Sequence, residues 1–586
     1  MVVRPPLRRI RRVVGAAPAW LRLALAVVLV VLGVLTLLRP ATSLGVLALV
    51  IGAGLLLQGL TELVTGRTGT WRAVGTCVLW AAAGAVVLLL PGLTVRLLAL
   101  TVGVGLVLDG AVRLVAAARR DPPPADRVAD GAFGVAGVVF GVLALVWPDI
   151  TALAVSVVLG ARLLMTGLAL GWATLGARRS PAPARGRRRG RAVAAVLAVV
   201  VAAGAVAASA ALREGSTVTD PFYAAPRDLP DDPGRLVRAE PFTRGVPPGG
   251  TGWRILYTTT RGDGSAAVAS GLVVVPAEGE GAWPVIGWSH GTTGVAQHCA
   301  PSLAAEPFES GALLVLPEVL EQGWALVATD YLGLGTAGPH PYLIGPDAAT
   351  ASLDAVRAAG ELAEADLGER TVLWGHSQGG GAALWSGAVV DEYAPELDVA
   401  GVAALAPASD LRGLVGSLAD APGGSVIASF VAAAYTAEYD DVTYREYVRP
   451  GAEVVVRQMA QRCLAPPGVL ASVLTALAMS QEATILAADP ATGAFGARLA
   501  QNEPPATITA PLLLAQGGAD SLITPQVQEG YVERLCAAGV GVDHRTYQGR
   551  DHLSLVAADS PLVPELLAWT ADRLAAVPAP QGCTGG

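Results

Sequence analysis

The segment that most constrains the fold lies in the second half of the chain. The residues from Thr371 to Gly375 are apolar or strand-forming, Ser377 stands between Gly375 and Gly379, and a run of small residues follows. A Gly-x-Ser-x-Gly sequence between a strand and a helix predicts a nucleophile elbow, in which the serine occupies a strained turn and the glycines let neighbouring backbone approach closely. The following helix directs its first N–H groups and its positive dipole end at the serine. Ser377 is therefore the candidate nucleophile.

Composition divides the 586-residue chain into two unlike halves. With 53% hydrophobic residues and a mean hydropathy of +0.51, the chain is too apolar for one soluble domain, and the apolar excess lies before residue 213. Residues 1–212 carry a net charge of +16 and the remainder carries −23, with arginine as the basic residue throughout. These features predict a basic membrane half followed by an acidic soluble half. The acidic half argues against nucleic acid as a partner, because phosphate binding requires positive charge.

The first half contains seven apolar runs of membrane-spanning length, at about 20–38, 43–65, 73–90, 93–117, 131–147, 150–176 and 192–212. Arginine is concentrated in alternate connections, and the other connections are tight turns that begin at Arg39, Pro91 and Trp147. The positive-inside rule places the N-terminus in the cytoplasm and these turns outside. The seventh run, either an anchor or a cleaved signal segment, then carries the rest of the chain outward. The expected location is the cell membrane, with the soluble half extracytoplasmic.

The membrane half also repeats internally. Counted from Pro40, Pro91 and Pro148, glycine recurs 12 positions on (Gly52, Gly103, Gly160) and 19 positions on (Gly59, Gly110, Gly167). Helical hairpins with small residues on matching faces pack closely in lipid. The pattern resembles the HdeD-like acid-resistance membrane family, which implies six spans. Asp109 lies within a span, where a polar tie between helices is the favoured interpretation over a functional site.

From residue 252 onward, strand-like runs alternate with helical ones, which predicts a mostly parallel sheet covered by helices. An elbow after the fifth predicted strand, at about 371–375, is typical of the α/β-hydrolase fold. A helical stretch at about 408–505 interrupts the alternation and is expected to form a cap. The predicted domains are a six-span membrane domain (1–177), a basic linker with the seventh span (178–212), a linker (213–250) and a capped α/β-hydrolase domain (251–586).

A serine hydroxyl needs an adjacent base, and a third group must orient that base. In this fold the acid and then the histidine follow the serine along the chain. His552 lies on a loop after the last predicted strand, whereas His544 lies within that strand and reads as structural. Asp520 ends the preceding strand and is the expected acid. Asp551, next to the histidine, is the alternative.

The expected oxyanion hole combines two backbone N–H groups, one from the residue after the nucleophile and one from the loop after the third predicted strand, at about 284–289. Gln378 supplies the first. The second lies in Ser289-His-Gly-Thr-Thr-Gly294, where Thr292 is the favoured donor. His290 in the same loop reads as a brace for the loop.

Four motifs in combination resemble the secretory lipase family of fungi and actinobacteria: residues 289–294, residues 297–302, Asp330-Tyr-Leu-Gly-Leu-Gly together with His340-Pro-Tyr-Leu-Ile-Gly345, and the elbow. The resemblance covers about 240–580. It implies ester hydrolysis by Ser377, Asp520 and His552, and it implies a disulfide from Cys299 into the cap, where Cys463 is the matching cysteine. The fused membrane half is a departure from the secreted enzymes.

The cysteines of the second half fit an oxidising location. Four cysteines permit three pairings, and we expect Cys299–Cys463 together with Cys536–Cys583. The expected pairing would be replaced by four free thiols if this half were cytoplasmic. No metal or cofactor is expected. The one Gly-x-Gly-x-x-Gly match, at 333–338, is followed at once by prolines, where a dinucleotide site needs a helix.

The sequence therefore predicts a membrane-anchored, outward-facing serine lipase or carboxylesterase that works through an acyl-enzyme. A small-molecule or lipid ester is the expected substrate and the bilayer the expected partner; acyl chain length and oligomeric state stay open. Two alternatives remain. The same triad could serve a peptidase or an acyltransferase, or the chain could be an inert membrane scaffold that binds a ligand or partner. Dehalogenase or epoxide-hydrolase chemistry is excluded, because it needs aspartate in place of Ser377.

Overall fold

The computed structural model describes most of the second half of the chain and part of the first. The described residues are 18–38, 91–118, 124–147, 184–212, 220–230, 232–279, 281–309, 315–418, 421, 423–465, 485–579 and 583–585, with scattered helical residues at 78, 82, 85, 150–174 and 470–473. The chain forms two compact units. The first comprises Met1–Arg213 with Arg449–Val455 and Leu474–Ile485, and the second comprises the rest.

The described residues of the first unit form four long helices: α1 (Ala19–Leu38), α2 (Pro91–Ala118), α3 (Pro124–Val146) and α4 (Ala184–Leu212). They coincide with four of the seven predicted spans. Two stretches among the described residues, Leu100–Ala118 and Arg127–Val146, are long and apolar enough to cross a membrane. The predicted span at 43–65 lies outside the described residues, as do most residues of the spans at 73–90 and 150–176.

Glycine faces bring the helices of this unit together. A Cβ on Gly110 would lie 2.7 Å from the carbonyl oxygen of Gly134 in α3, and a Cβ on Gly141 would lie 2.7 Å from that of Gly103. The third repeat packs in the same manner, because a Cβ on Gly167 would lie 2.7 Å from the oxygen of Ala26 in α1. Backbones this close exclude any larger side chain, which is the packing predicted from the repeat. Gly52 and Gly59 lie outside the described residues.

Two details of the first unit bear on the predictions from the sequence. Among the described residues, the Asp109 carboxylate pairs with Arg113 one turn later on the same helix, at 2.6 Å. An aspartate and an arginine four residues further along a helix lie on the same face, so the two side chains can form an ion pair within one helix. Pro91, predicted to begin a turn, is instead the first residue of α2. Proline is well tolerated there because the first N–H groups of a helix have no intrahelical acceptor.

The second unit is built on one ten-stranded sheet with the order β1-β2-β3-β5-β4-β6-β7-β8-β9-β10. The sheet is antiparallel from β1 to β5, in the pairs β1–β2, β2–β3 and β3–β5. All its other pairs are parallel: β5–β4, β4–β6, β6–β7, β7–β8, β8–β9 and β9–β10. Their bounds are β1 Leu236–Pro241, β2 Gly250–Thr260, β3 Ala266–Pro276, β4 Trp283–Ser289, β5 Ala325–Leu332, β6 Leu367–His376, β7 Asp398–Leu405, β8 Leu512–Gly517, β9 Val542–Tyr547 and β10 Cys583–Gly585.

Both edge strands were missed in the sequence. The predicted linker at 213–250 contains β1, so the folded domain begins earlier than residue 251. The strand is short and partly buried on both faces, so no clear alternation of apolar and polar residues marks it. The strand β10 has three residues, one of them the disulfide cysteine Cys583, and it pairs with β9 by backbone alone.

Helices cover both faces of this sheet. On one face α5 (Leu316–Glu321) and α14 (Leu562–Leu574) pack against a core that contains Ile286 and Trp374. On the other face lie α6 (Gly345–Gly360), α7 (Gln378–Tyr393) and α13 (Pro525–Ala537). The central strand β6 is buried on both sides, which explains its continuous apolar run.

The predicted cap lies between β7 and β8. Its described helices are α8 (Leu411–Ser417), α9 (Gly424–Glu438), α10 (Tyr444–Tyr447), α11 (Glu453–Met459) and α12 (Gly493–Gln501). The helix predicted at 426–437 matches α9 closely, whereas the one predicted at 451–464 is shorter. Most of the helix predicted at 468–488 lies outside the described residues.

Candidate active site

The turn between β6 and α7 has the strained geometry of a nucleophile elbow. Ser377 has φ 58° and ψ −118°, a conformation that costs a non-glycine residue about 1–3 kcal/mol. Its N–H donates to the carbonyl of Leu405 at 2.9 Å, which fixes the turn against β7. A Cβ on Gly375 would lie 1.9 Å from the carbonyl oxygen of Gly379, and a Cβ on Gly379 would lie 1.8 Å from that of Ser289. Both positions therefore require glycine.

The three residues predicted to form the triad lie within hydrogen-bonding distance of one another. The Ser377 hydroxyl donates to Nε2 of His552 at 2.8 Å. On the other side of the ring, Nδ1–H donates to Oδ2 of Asp520 at 2.7 Å. The serine and the histidine are partly exposed, whereas the aspartate side chain is fully buried. This arrangement can remove the serine proton and stabilise the resulting imidazolium.

Asp520 is held rigidly in this position. Its Oδ1 accepts hydrogen bonds from the backbone N–H groups of Leu522 and Ile523, both at 2.9 Å, which leaves Oδ2 for the histidine. Gln516 adds a contact to Oδ2 at 3.3 Å. The alternative acid, Asp551, is exposed and instead accepts from the N–H and hydroxyl of Ser554. Between the two acids, the histidine contacts Asp520.

The predicted oxyanion hole lies beside the elbow. Gln378 is the first residue of α7, and Thr292 lies in the loop that follows β4. Within the described part of the chain, neither backbone N–H donates to a protein acceptor, as an oxyanion donor requires. The side chains of both residues are engaged: Thr292 Oγ1 hydrogen-bonds the Tyr342 hydroxyl at 2.8 Å, and Gln378 Nε2 contacts His340 Nε2 at 3.1 Å.

Known proteins resemble the second half of the chain. A family model described as secretory lipase matches residues 309–582. The resemblance to the secretory lipase family is confirmed. A probable inactive lipase of Mycobacterium tuberculosis is 26% identical over 61% of this chain and 82% of its own length, and lipase A of Moesziomyces aphidis is 24% identical over 57% and 76%. A crystal structure of Candida antarctica lipase A in its closed state has a TM-score of 0.53 at 21% identity, covering 62% of this chain and 88% of that chain. It supports the α/β-hydrolase fold.

The first half matches a short repeat of unknown function (DUF308) three times in succession, at residues 24–79, 75–129 and 132–208. The threefold internal repeat predicted from glycine spacing is thereby confirmed.

Two of the secretory lipase motifs, at 297–302 and from Asp330 onward, contact each other through the Asp330 side chain. The N–H and hydroxyl of Ser302 both donate to the buried carboxylate of Asp330, as does the hydroxyl of Ser270. Burial raises the pKa of Asp330, and these hydrogen bonds oppose that shift. His290 donates from Nδ1 to the carbonyl of Gly291, and burial lowers its pKa to about 4, so it stays neutral. It braces the loop, as expected.

Both expected disulfides are present: Cys299–Cys463 and Cys536–Cys583. The first joins the loop after β4 to the cap. Next to it, the N–H of Leu464 donates to the carbonyl of Thr293 at 2.7 Å, so the cap is fastened beside Thr292. Among the described residues, His298 with these two cysteines forms one group of possible metal ligands. The disulfide occupies both of its sulfurs.

A further residue at this site was not anticipated from the sequence. His376, immediately before the nucleophile, donates from Nε2 to the backbone carbonyl of His552 at 2.9 Å, and the two rings lie 4.8 Å apart. Burial lowers the pKa of His376 to about 3, so the ring is neutral. Its position beside Ser377 was the available signal, but the partner lies 176 residues away. We interpret His376 as a positioning residue for the loop that carries the base.

Replacement of His376 by phenylalanine (His376→Phe) is expected to lower kcat for ester hydrolysis about tenfold with little change in KM, because His552 loses one restraint on its position. Steady-state kinetics on the purified full chain measures this effect. His544→Phe is the matched control, since His544 lies within β9, away from the triad, and should leave kcat unchanged. Equal kinetics for His376→Phe and wild type would contradict the positioning role.

Proposed function

We propose that this chain is a membrane-anchored serine ester hydrolase, a lipase or carboxylesterase, whose hydrolase domain faces outward. The observation that carries the proposal is the continuous hydrogen-bonded series from Ser377 through His552 to Asp520 at 2.8 and 2.7 Å. The secretory lipase match and the hydrolase fold support the same class of chemistry.

The proposed reaction uses these groups in order. As Ser377 Oγ attacks the ester carbonyl, His552 Nε2 takes its proton, and Asp520 stabilises the imidazolium. The N–H groups of Gln378 and Thr292 stabilise the tetrahedral oxyanion. His552 then protonates the departing alcohol, which leaves an acyl group on Ser377. A water deprotonated by the same imidazole attacks this acyl-enzyme and releases the acid.

The alternative function is a catalytically inert domain that binds a ligand or partner, because one relative is described as a probable inactive lipase. That description belongs to the relative. In this chain the nucleophile, base and acid are all present, and the elbow maintains a strained serine with two bracketing glycines. Strain of this kind persists where the surrounding structure enforces it and is concentrated at active sites. The residues of this chain therefore favour catalysis.

A substrate panel tests the proposed activity. The full chain, purified in detergent micelles, is assayed with p-nitrophenyl esters of short and long acyl chains and with chromogenic peptides, in the presence and absence of an alcohol acceptor. We expect hydrolysis of at least one ester and no peptide cleavage. Peptide cleavage without ester hydrolysis would indicate a peptidase, and product formed only with the alcohol would indicate an acyltransferase.

The outward orientation gives a separate prediction. Both disulfides should be oxidised in intact cells, because disulfides persist outside the reducing cytoplasm. Alkylation of cell lysates with a thiol-reactive mass tag, with and without prior reduction, counts the blocked cysteines. Four of the five cysteines in the chain should react only after reduction. Reaction of all five before reduction would place the hydrolase domain in the cytoplasm.

A further inference from the structure

We infer that the segment His340–Tyr342 is a positioning clamp for the oxyanion hole, an inference that rests on the proposed ester hydrolysis. The two oxyanion donors come from distant parts of the chain, one from the loop after β4 and the other from the start of α7. This one segment hydrogen-bonds the side chains of both donor residues. It therefore sets the distance between the two N–H groups.

The first contact joins Tyr342 to Thr292. The two hydroxyl oxygens lie 2.8 Å apart, and Tyr342 is 2% exposed. Burial raises the pKa of Tyr342 well above its ordinary value, so the phenol keeps its proton. Either hydroxyl can donate to the other in this contact. The contact holds the Thr292 side chain, and with it the backbone N–H on the same residue.

The second contact joins His340 to Gln378. Nδ1–H of His340 donates to the carbonyl of Leu332 at 2.8 Å, which leaves Nε2 as an acceptor. Nε2 accepts from the side-chain amide of Gln378 at 3.1 Å. Burial lowers the pKa of His340 to about 3, so the imidazole stays neutral and keeps this acceptor. The polarity of the contact between His340 and Gln378 is thus fixed by the Leu332 carbonyl behind the ring.

Aromatic packing makes the segment rigid. The ring of His340 stacks on Tyr331 at 5.8 Å and lies 6.1 Å from the ring of Tyr342. Tyr342 meets Phe430 of the cap helix α9 edge-on at 6.1 Å. The Tyr331 hydroxyl also donates to the carbonyl of His290, two residues before Thr292. Because the rings of His340 and Tyr342 pack against neighbours and hydrogen-bond Gln378 and Thr292, a shift of either ring would displace these donor residues.

The test removes the first contact from each side. Tyr342→Phe deletes the phenol oxygen, and Thr292→Val deletes the partner hydroxyl while keeping the backbone N–H and the side-chain shape. Each variant should lower kcat for a p-nitrophenyl ester about tenfold with KM within about twofold, less than the 10²–10³-fold cost of losing a donor outright. The double variant should match the single variants, because both remove the same contact.

A second readout reports on the oxyanion itself. A trifluoromethyl ketone adds to the serine and places an oxyanion in the hole, so its inhibition constant should weaken by the same factor as kcat. Tyr393→Phe is the matched control: Tyr393 ends α7, its hydroxyl donates to Asp354 in α6, and its loss should leave both constants unchanged. Melting temperatures verify that each variant is folded.

The outcomes separate the clamp from the proposed function. Wild-type protein that hydrolyses no ester would refute the function and the clamp with it. An active wild type with unchanged kcat and inhibitor affinity in Tyr342→Phe would refute the clamp alone. If Tyr342→Phe fails to fold, unchanged constants in Thr292→Val would refute the clamp equally. Multiplicative losses in the double variant would show that the two hydroxyls act separately, which also contradicts it.

Discussion

Ser377→Ala is expected to lower kcat for ester hydrolysis by about 10⁴–10⁶-fold, the range seen when the nucleophile of a serine hydrolase is removed. The reason is that no covalent acyl-enzyme can form without the hydroxyl, whereas binding and the oxyanion donors remain. The elbow should tolerate the change, because alanine also fits at Ser377 and no buried group loses its partner. Initial rates with the best ester from the panel give the measurement.

A serine in the same helix provides the control. Ser386 lies in α7, where its buried hydroxyl donates to the carbonyl of Ala382 at 2.8 Å. Ser386→Ala should alter stability slightly and leave kcat unchanged. Residual activity of Ser377→Ala above about one per cent of wild type would mean that hydrolysis proceeds through another nucleophile, since an intact triad accounts for more than two orders of magnitude.

Asp520→Asn is expected to lower kcat about 10⁴-fold near neutral pH, with a smaller effect on KM. The asparagine amide can donate to His552 Nδ1, and this favours the tautomer whose Nε2 carries the proton. In that tautomer Nε2 cannot accept the proton of Ser377. The pH–rate profile measures the effect, because part of the loss should be recovered at high pH.

Asp551→Asn distinguishes this explanation from a general need for negative charge near the base. Asp551 is adjacent to His552 in sequence, but its carboxylate bonds Ser554 and faces solvent. Its replacement should change kcat less than about threefold, as an exposed charge is screened. A loss comparable to that of Asp520→Asn would show that the acid has been assigned to the wrong residue.

The triad could be predicted because each member follows a local rule. The elbow needs glycine on both sides of the serine, the acid ends one strand, and the base lies on the loop after the next. These rules place side chains at one edge of a parallel sheet, and the hydrogen bonds at 2.8 and 2.7 Å agree with that placement. The same rules favour Asp520 over Asp551, because Asp520 follows a strand end and adjacent residues rarely orient one another's rings.

The features missed in the sequence depend on contacts between distant segments. The ring of His376 could have faced any neighbour, and only the folded chain brings the carbonyl of His552 to it. The partners of Tyr342 and His340 are likewise selected by packing. The strand β1 was missed because its stability comes from backbone pairing with β2, and its side chains follow no clear pattern. Asp109 forms an ion pair within its own helix, because Arg113 lies four residues further along the same face.

Covalent labelling by a fluorophosphonate tests directly whether Ser377 is an activated nucleophile. The labelled chain and its peptides are then analysed by mass spectrometry. The reagent reacts with serines that an adjacent base activates. We expect one phosphonate per chain, located on Ser377, with labelling lost in Ser377→Ala and strongly slowed in Asp520→Asn. Folded wild-type protein that takes up no label, or that carries it on a different serine, would show that Ser377 is not the activated nucleophile.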